Sequence, residues 1–360
     1  MRFIVNKIEL QQGIQETQRA VAVRLGASIL LQCSKNHLTL TGGDKNLYIE
    51  TKIVADVYEE GNILLDSRLF GEIVRKLPDS NLEIVAMNEN RIKITCGKDV
   101  ITLSCLNAES FPILPKIEED ISIAVPQDVF QTMIKKAIIA TDPNCIRPIF
   151  SGILFDIKEN MLVMVALDNL RSAICRYKGY FPSAIRTVVP GKTLNEIAKM
   201  PMSYDNNIKI TFTKNHILFL IGSTKVVSTL LEGDFGNYDA FIPDEYSLEV
   251  TIKKDILIGH LERAAIIGRE NNVSAVVFNI HENDMTIASN SSFGDITSSI
   301  DIKSKGMPLV IKCNSRFLLE ALNTLEEDDV TMKFTTSESV LIITSSTNSD
   351  ITHIIAPIRI

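Results

Sequence analysis

Asp66-Ser67-Arg68-Leu69-Phe70-Gly71-Glu72-Ile73 recurs in outline as Pro190-Gly191-Lys192-Thr193-Leu194-Asn195-Glu196-Ile197 and as Asn314-Ser315-Arg316-Phe317-Leu318-Leu319-Glu320-Ala321. Each copy passes from turn-forming or small residues to a base, then into an apolar-x-Glu-apolar helix start. Arg68, Lys192 and Arg316 are each 124 residues apart, and Asp44 and Asp168, at the ends of two matching strands, keep the same spacing. A second segment, a short alternating strand running into an amphipathic helix, recurs at residues 3–10, 123–130 and 250–257. Two segments returning in the same order at nearly one period define a threefold internal repeat, which sets the domain count without outside comparison.

Asp, Pro and Asn at the starts of these helices serve as caps or as a first-turn start, supplying acceptors or removing a donor where backbone N–H groups lack partners. A base in the first turn is mildly unfavourable against the helix dipole, so its triple use weakly invites a functional reason. Between the helices lie period-two runs such as Leu38-Thr39-Leu40-Thr41, Leu82-Glu83-Ile84-Val85, Ile208-Lys209-Ile210-Thr211 and Val330-Thr331-Met332-Lys333. Separated by Gly, Asn and Asp turns, they read as antiparallel meanders. The expected class is α+β, with three tandem domains of two helices on antiparallel sheets. Linker-like composition at Ile117-Glu118-Glu119-Asp120 and Pro243-Asp244-Glu245 places the domains at residues 1–119, 120–244 and 245–360.

Of the 360 residues, 45% are hydrophobic and 22% charged, near the globular average. No apolar run approaches the roughly 18 residues of a membrane span. MRFIVNKIEL at the start has no apolar core of signal-peptide length, so a cytoplasmic protein is expected. The six cysteines are scattered without a C-x-x-C pair and read as reduced, mostly core thiols. A net charge of −7 excludes a protein that coats nucleic acid with its whole surface, but permits basic residues gathered on one face.

No catalytic constellation appears. Gly191-Lys192-Thr193 echoes a phosphate loop, but the glycine needed five residues earlier is Arg186. The five histidines show no metal-ligand spacing, no G-x-S-x-G elbow is present, and Glu118, Glu119 and Asp120 read as solvated linker. The expectation is a non-enzyme with no metal and no cofactor.

Several stretches resemble the bacterial DNA sliding clamps, the DNA polymerase III beta subunit family. They are residues 64–78, Ala108-Glu109-Ser110-Phe111-Pro112-Ile113-Leu114-Pro115, residues 147–155, Val188-Val189-Pro190-Gly191-Lys192-Thr193-Leu194, Leu231-Glu232-Gly233-Asp234-Phe235 and Pro357-Ile358-Arg359-Ile360. The resemblance covers essentially the whole chain. It implies a head-to-tail homodimer, a ring whose helices face sequence-independent duplex DNA and whose sheets form the outside. The ring would tether replicative polymerase, clamp loader and repair proteins through short linear peptides. It implies DNA contacts at Arg24, Asn144, Arg147 and Lys192; Arg19, Arg68, Arg75, Lys76 and Lys199 join them by placement on helices. The implied peptide pocket comprises Phe150, Leu167, Asn169, Leu170, Arg171, Ser172, Gly236, Ala240, Phe241, Val340 and the tail Ile354-Ile355-Ala356-Pro357-Ile358-Arg359-Ile360. The implied subunit joint pairs an edge strand carrying Ile101 and Leu103 with a helix carrying Ile266 and Ile267, for which burial inside one domain is the alternative.

The chain departs from this family in the pocket. Asp168-Asn169-Leu170-Arg171-Ser172-Ala173 stands where the family commonly has Asp-Gly-His/Tyr-Arg-Leu-Ala, and Gly236 stands where proline is often found. Asn169 is expected to take the left-handed conformation of the glycine it replaces. Leu170 gives up an aromatic polar handle and Ser172 an apolar wall. The segment Arg24-Leu25-Gly26-Ala27-Ser28 is shorter than the family's link. These departures imply a divergent clamp with shifted peptide preference. The rival reading is a clamp-like structural or regulatory paralogue that does not load on DNA; Arg68, Arg75 and Lys76 against a single Glu72 on one helix favour the DNA-facing role.

Overall fold

The computed structural model describes residues 1–358 except 22–26, 89, 113–114, 116–120, 271–272 and 347–349. Arg24, Arg359, Ile360 and the expected boundary at residues 117–120 therefore lie outside the described residues.

Among the described residues six α-helices follow directly on strands, as the repeat predicts. α1 (Lys7–Gln18), α3 (Gln127–Ala137) and α5 (Lys254–Ile267) continue Arg2–Asn6, Ile121–Pro126 and Leu248–Lys253. α2 (Ser67–Lys76), α4 (Gly191–Ile197) and α6 (Ser315–Leu322) continue Gly61–Asp66, Ile185–Pro190 and Leu309–Asn314. The residue at each junction explains the abrupt change. Asn6 accepts from Ile8 N at 2.9 Å, Asp66 from Leu69 N at 2.8 Å, and Asn314 from Arg316 N at 3.0 Å. Pro190 makes no side-chain cap, and α4 is the shortest of the six at 7 residues.

The recurrent first-turn base has a structural partner. Arg68 Nε lies 3.0 Å from Glu72 and Arg316 Nε 3.1 Å from Glu320, one helical turn on. The base and the glutamate of the repeated motif are thus two halves of one surface ion pair in the first and third copies.

The chain forms two compact units, residues 1–130 with 199–230, and residues 131–198 with 231–360. The first unit holds a five-stranded sheet ordered Asp56–Glu59, Arg2–Asn6, Asn81–Asn88, Arg91–Cys96, Asp99–Ser104. It also holds an eight-stranded sheet in which Thr224–Thr229 pairs with Leu47–Val54, so strands of the first and second repeats share one ladder. α1 packs on α2 and on the strands His37–Gly43 and Leu47–Val54. The approach is close at Gly42, where a β-carbon would lie 2.3 Å from the Thr17 carbonyl oxygen.

The second unit holds a nine-stranded sheet in which Arg171–Lys178 pairs with Ile351–Ile355, joining the second and third repeats. Its other sheet is ordered Arg269–Glu270, Val273–Ile280, Asp284–Ser291, Gly294–Asp301, with Leu309–Asn314 also on Val273–Ile280. The middle repeat is divided between the units because its strands extend two different sheets.

Candidate functional site

The exposed bases come first. α2 buries Phe70 and Val74, four residues apart, and so turns Arg68, Glu72, Arg75 and Lys76 to solvent. Arg19 follows α1 and is half-buried. Lys192 and Lys199, at the start of α4 and just beyond it, are exposed, as are Asn144 and Arg147 in the loop before the short helix Pro148–Ser151. Lys135, exposed in the last turn of α3, was not among the expected bases.

Where the peptide cleft is expected, a buried apolar cluster lies on one face of the nine-stranded sheet joining the second and third repeats. Leu167 ends one strand, Asp168–Leu170 turns, and Arg171–Lys178 returns. Asp168 Oδ1 closes the turn by accepting from Leu170 N at 2.7 Å and Arg171 N at 2.9 Å. Contrary to the expectation from sequence, Asn169 has no left-handed backbone. An aspartate-closed turn does not need one.

Side-chain alternation then sorts the expected pocket residues. Phe150, Leu167 and Ile354 belong to one buried cluster with Ile174, Phe235 and Tyr238, and Val340 packs against it. Phe150 meets Phe235 edge-on, with ring centroids 5.8 Å apart. Ser172, two residues from Ile174, faces the same side. Leu170 and Phe241, both about half exposed, and the exposed Asn169, Gly236 and Ala240 flank these buried residues in sequence.

Arg171 and Ile355 point to the opposite face. Nε of Arg171 is 3.1 Å from Asp168, its Nη1 is bonded to Glu320 of α6, and its guanidinium lies 4.3 Å from the Phe317 ring centroid. This arginine ties the turn to α6 and is not free on the cleft side. The tail continues as a backbone strap: Ala356 N donates to Leu170 O at 2.8 Å and Ile358 N to Lys312 O at 2.7 Å, with Pro357 between them.

The loop across the cleft is held by a polar brace that sequence reasoning missed. Tyr238 donates its hydroxyl to Asp156 Oδ2 at 2.9 Å, and Arg186 Nη1 lies 3.5 Å from the same oxygen. Arg186 Nη2 donates to the Gly236 carbonyl at 2.5 Å, and Gly236 N donates to Asp234 at 2.8 Å. Burial and then Asp156 push the Tyr238 phenol well above its ordinary value. Gly236 sits at φ +77°, which proline cannot adopt, so this loop has its own path. Only the buried tyrosine distinguishes the brace, and burial is not visible in a single sequence.

At the expected subunit joint, Asp99–Ser104 is the outer strand of its sheet. Leu103 belongs to the core of the first repeat with Ile101 packed against it. Ile266 is 74% exposed at the end of α5 and Ile267 is half-buried. Among the described residues no group of three or more His, Cys, Asp or Glu is placed to hold a metal, and no helix is long and apolar enough to cross a membrane.

Family models match in tandem: the DNA polymerase III beta subunit N-terminal domain over residues 1–115, its central domain over 124–237 and its C-terminal domain over 239–359. The class is therefore a three-domain clamp protein. A solved putative DNA polymerase III beta subunit from Eubacterium rectale is 31% identical, with TM-score 0.95 and 100% of both chains covered. The Bacillus subtilis DNA polymerase sliding clamp superposes with TM-score 0.96 at 27% identity, covering 100% of this chain and 99% of that one. The curated beta sliding clamp of the same organism is 28% identical over 377 residues, all of both chains. The chain belongs to the DNA polymerase III beta subunit family, the sliding clamps, which are non-catalytic processivity factors of DNA replication.

Proposed function

We propose that two copies of this chain close head to tail into a ring around duplex DNA, in the cytoplasm with the nucleoid, and tether replicative polymerase, clamp loader and repair proteins by short peptides. The observation that carries this reading is a pair of outer strands, one in the first repeat and one in the third, each close to residues expected at the joint. Inside the chain, ladders run from the first repeat to the second and from the second to the third. Asp99–Ser104 of the first repeat and Gly294–Asp301 of the third are left as outer strands. Pairing one with the other in a second copy repeats the internal joint, and a heterologous contact that closes makes a ring. Ile101 and Leu103 lie on one edge strand; Ile266 and Ile267 end α5, which packs on the other. The domain limits 1–119, 120–244 and 245–360 are part of the same reading.

A closed ring is retained by topology, so its bases need only contact phosphate, without reading sequence. Arg19, Arg24, Arg68, Arg75, Lys76, Asn144, Arg147, Lys192 and Lys199 are assigned that role. The cleft of Phe150, Leu167, Leu170, Ser172, Phe241, Val340 and Ile354, with Asn169, Gly236, Ala240 and the tail residues 355–360, takes an extended peptide with apolar anchors. Arg171 positions the turn from the opposite face.

Loading the chain onto a nicked circular plasmid with a clamp loader, then linearising the plasmid, tests the topological claim. Retention on the circle and loss from free ends is expected. Equal retention on both forms, or no loading at all, overturns it, the second in favour of a paralogue that does not encircle DNA.

A further inference from the structure

Ser172 does not fit the floor of the cleft. In register it lies beside Leu167 on one strand and Ile354 on the next, both members of the apolar cluster. The residue is 6% exposed, and its Oγ is buried without any hydrogen-bond partner. Other buried hydroxyls find partners, as where Thr51 bonds Thr224 at 2.8 Å and Ser289 donates to Ala275 O at 2.8 Å; Thr41 Oγ1, in the first unit, shares the condition of Ser172. A desolvated hydroxyl with no partner costs stability that an apolar residue of similar size would not. Folding alone therefore supplies no reason for serine here, whereas a ligand does.

We propose that Ser172 is a specificity-determining residue of the cleft, selecting peptides that bring a neutral hydrogen-bonding side chain, hydroxyl or carboxamide, to the place above Leu167 and Ile354. This rests on the reading of the cleft as a peptide site. A neutral group is favoured over a charged one because the surroundings are apolar and their charges are already spent. Asp156 is held by Tyr238 and Arg186, and Arg171 is on the other face with Asp168 and Glu320. An ionised side chain entering there would lose its hydration without a counter-charge. Hydroxyls and carboxamides serve as donor or acceptor, whichever role the serine hydroxyl leaves open. Because the Oγ is covered in the free chain, the ligand must part the side chains above it, and discrimination comes from what it offers underneath. A site with a buried polar group penalises a ligand that leaves that group unpaired.

The test uses the full chain and a fluorescein-labelled hexapeptide, Ala-Leu-Ala-Leu-Phe-Gly, with analogues in which each Leu or Phe in turn is Thr, Asn or Gln. Fluorescence anisotropy should find one analogue that binds the unmodified chain about tenfold tighter than the apolar parent, the worth of one recovered hydrogen bond. Ser172→Ala should abolish that preference, read as the ratio of analogue to parent affinity, and Ser172→Cys should restore part of it. Urea unfolding of Ser172→Ala should show a midpoint equal to or above that of the unmodified chain, because no bond is lost. If the parent binds and every analogue binds more weakly, or if Ser172→Ala keeps the analogue preference, the specificity role is wrong while the cleft stands. Failure of the entire peptide set to bind removes the cleft reading and the proposal with it. A lowered urea midpoint for Ser172→Ala also overturns the proposal, since the hydroxyl would then be bonded in the free chain.

Discussion

Acidification from pH 7.5 to 5 should weaken the second unit through His353. This residue is 2% exposed on the strand Ile351–Ile355, on the face opposite Ile354. Its Nε2 lies 2.7 Å from Thr324 Oγ1, whose hydroxyl hydrogen is given to Ala321 O at 2.7 Å. The threonine oxygen therefore accepts, and the neutral imidazole carries its proton on Nε2. Burial, then the charges of Arg171 and Lys136, hold the imidazole down to about 3 from its ordinary value of 6.5. The unfolded chain takes up the proton first. Stability is thus full above about pH 6.5 and falls as pH drops toward 3, by at most roughly 1.4 kcal/mol per unit and about 2 kcal/mol in total at pH 5. The chain has 0 tryptophans, so urea unfolding is best followed by far-ultraviolet circular dichroism. His353→Gln keeps a donor for Thr324 and removes the titration; comparing it with the unmodified chain cancels the carboxylates common to both. The unmodified chain's advantage at pH 7.5 should shrink by about 2 kcal/mol at pH 5. A gap unchanged between these pH values would refute a buried neutral imidazole.

Three further outcomes are expected. Changing Arg68, Arg75 and Lys76 together to Gln should leave the fold intact, since all three are exposed, and should lower the slope of log affinity for duplex DNA against log salt by up to about 3; an unchanged slope excludes α2 from the DNA path. An aromatic disulfide reagent should titrate Cys145 rapidly in the native chain and the other five thiols only on unfolding, since those five are buried and burial pushes Cys33, Cys175 and Cys313 up to about 12. Tyr238→Phe should cost about 1–3 kcal/mol by stripping Asp156 of its phenol hydrogen bond, and should weaken peptide binding at the cleft without altering dimerisation, as measured by thermal unfolding, peptide titration and sedimentation.

The repeat carried most of the fold into the sequence because strand-to-helix junctions depend on local chemistry. Asn6, Asp66 and Asn314 each bond the helix they begin, and alternation in runs such as residues 82–85 matches one buried face, with Leu82 and Ile84 inside. What local chemistry does not encode is which strands meet at long range. The ladder from Thr224–Thr229 to Leu47–Val54, which divides the middle repeat between two units, has no signature in either segment. The same limit applies at the cleft. Phe150, Leu167, Val340 and Ile354 share one apolar cluster, but a motif lists Arg171 and Ser172 side by side and says nothing of their opposite faces. The Asn169 turn was misjudged for a similar reason: the preceding aspartate, not the backbone of the replaced glycine, closes it.

The ladder between Arg171–Lys178 and Ile351–Ile355 also bears on synthesis of the chain. Arg171 lies opposite Ile355, 184 residues later. At ribosomal rates of about 5–20 residues per second, the earlier strand waits roughly 10–40 s for that neighbour, far longer than a hairpin takes to close. During that interval its outer row of amide and carbonyl groups is an open template beside apolar side chains, the condition that favours misassociation between nascent chains. The sheet that joins the last two repeats is thus completed late, and its waiting edge is the part of the nascent chain most in need of cover.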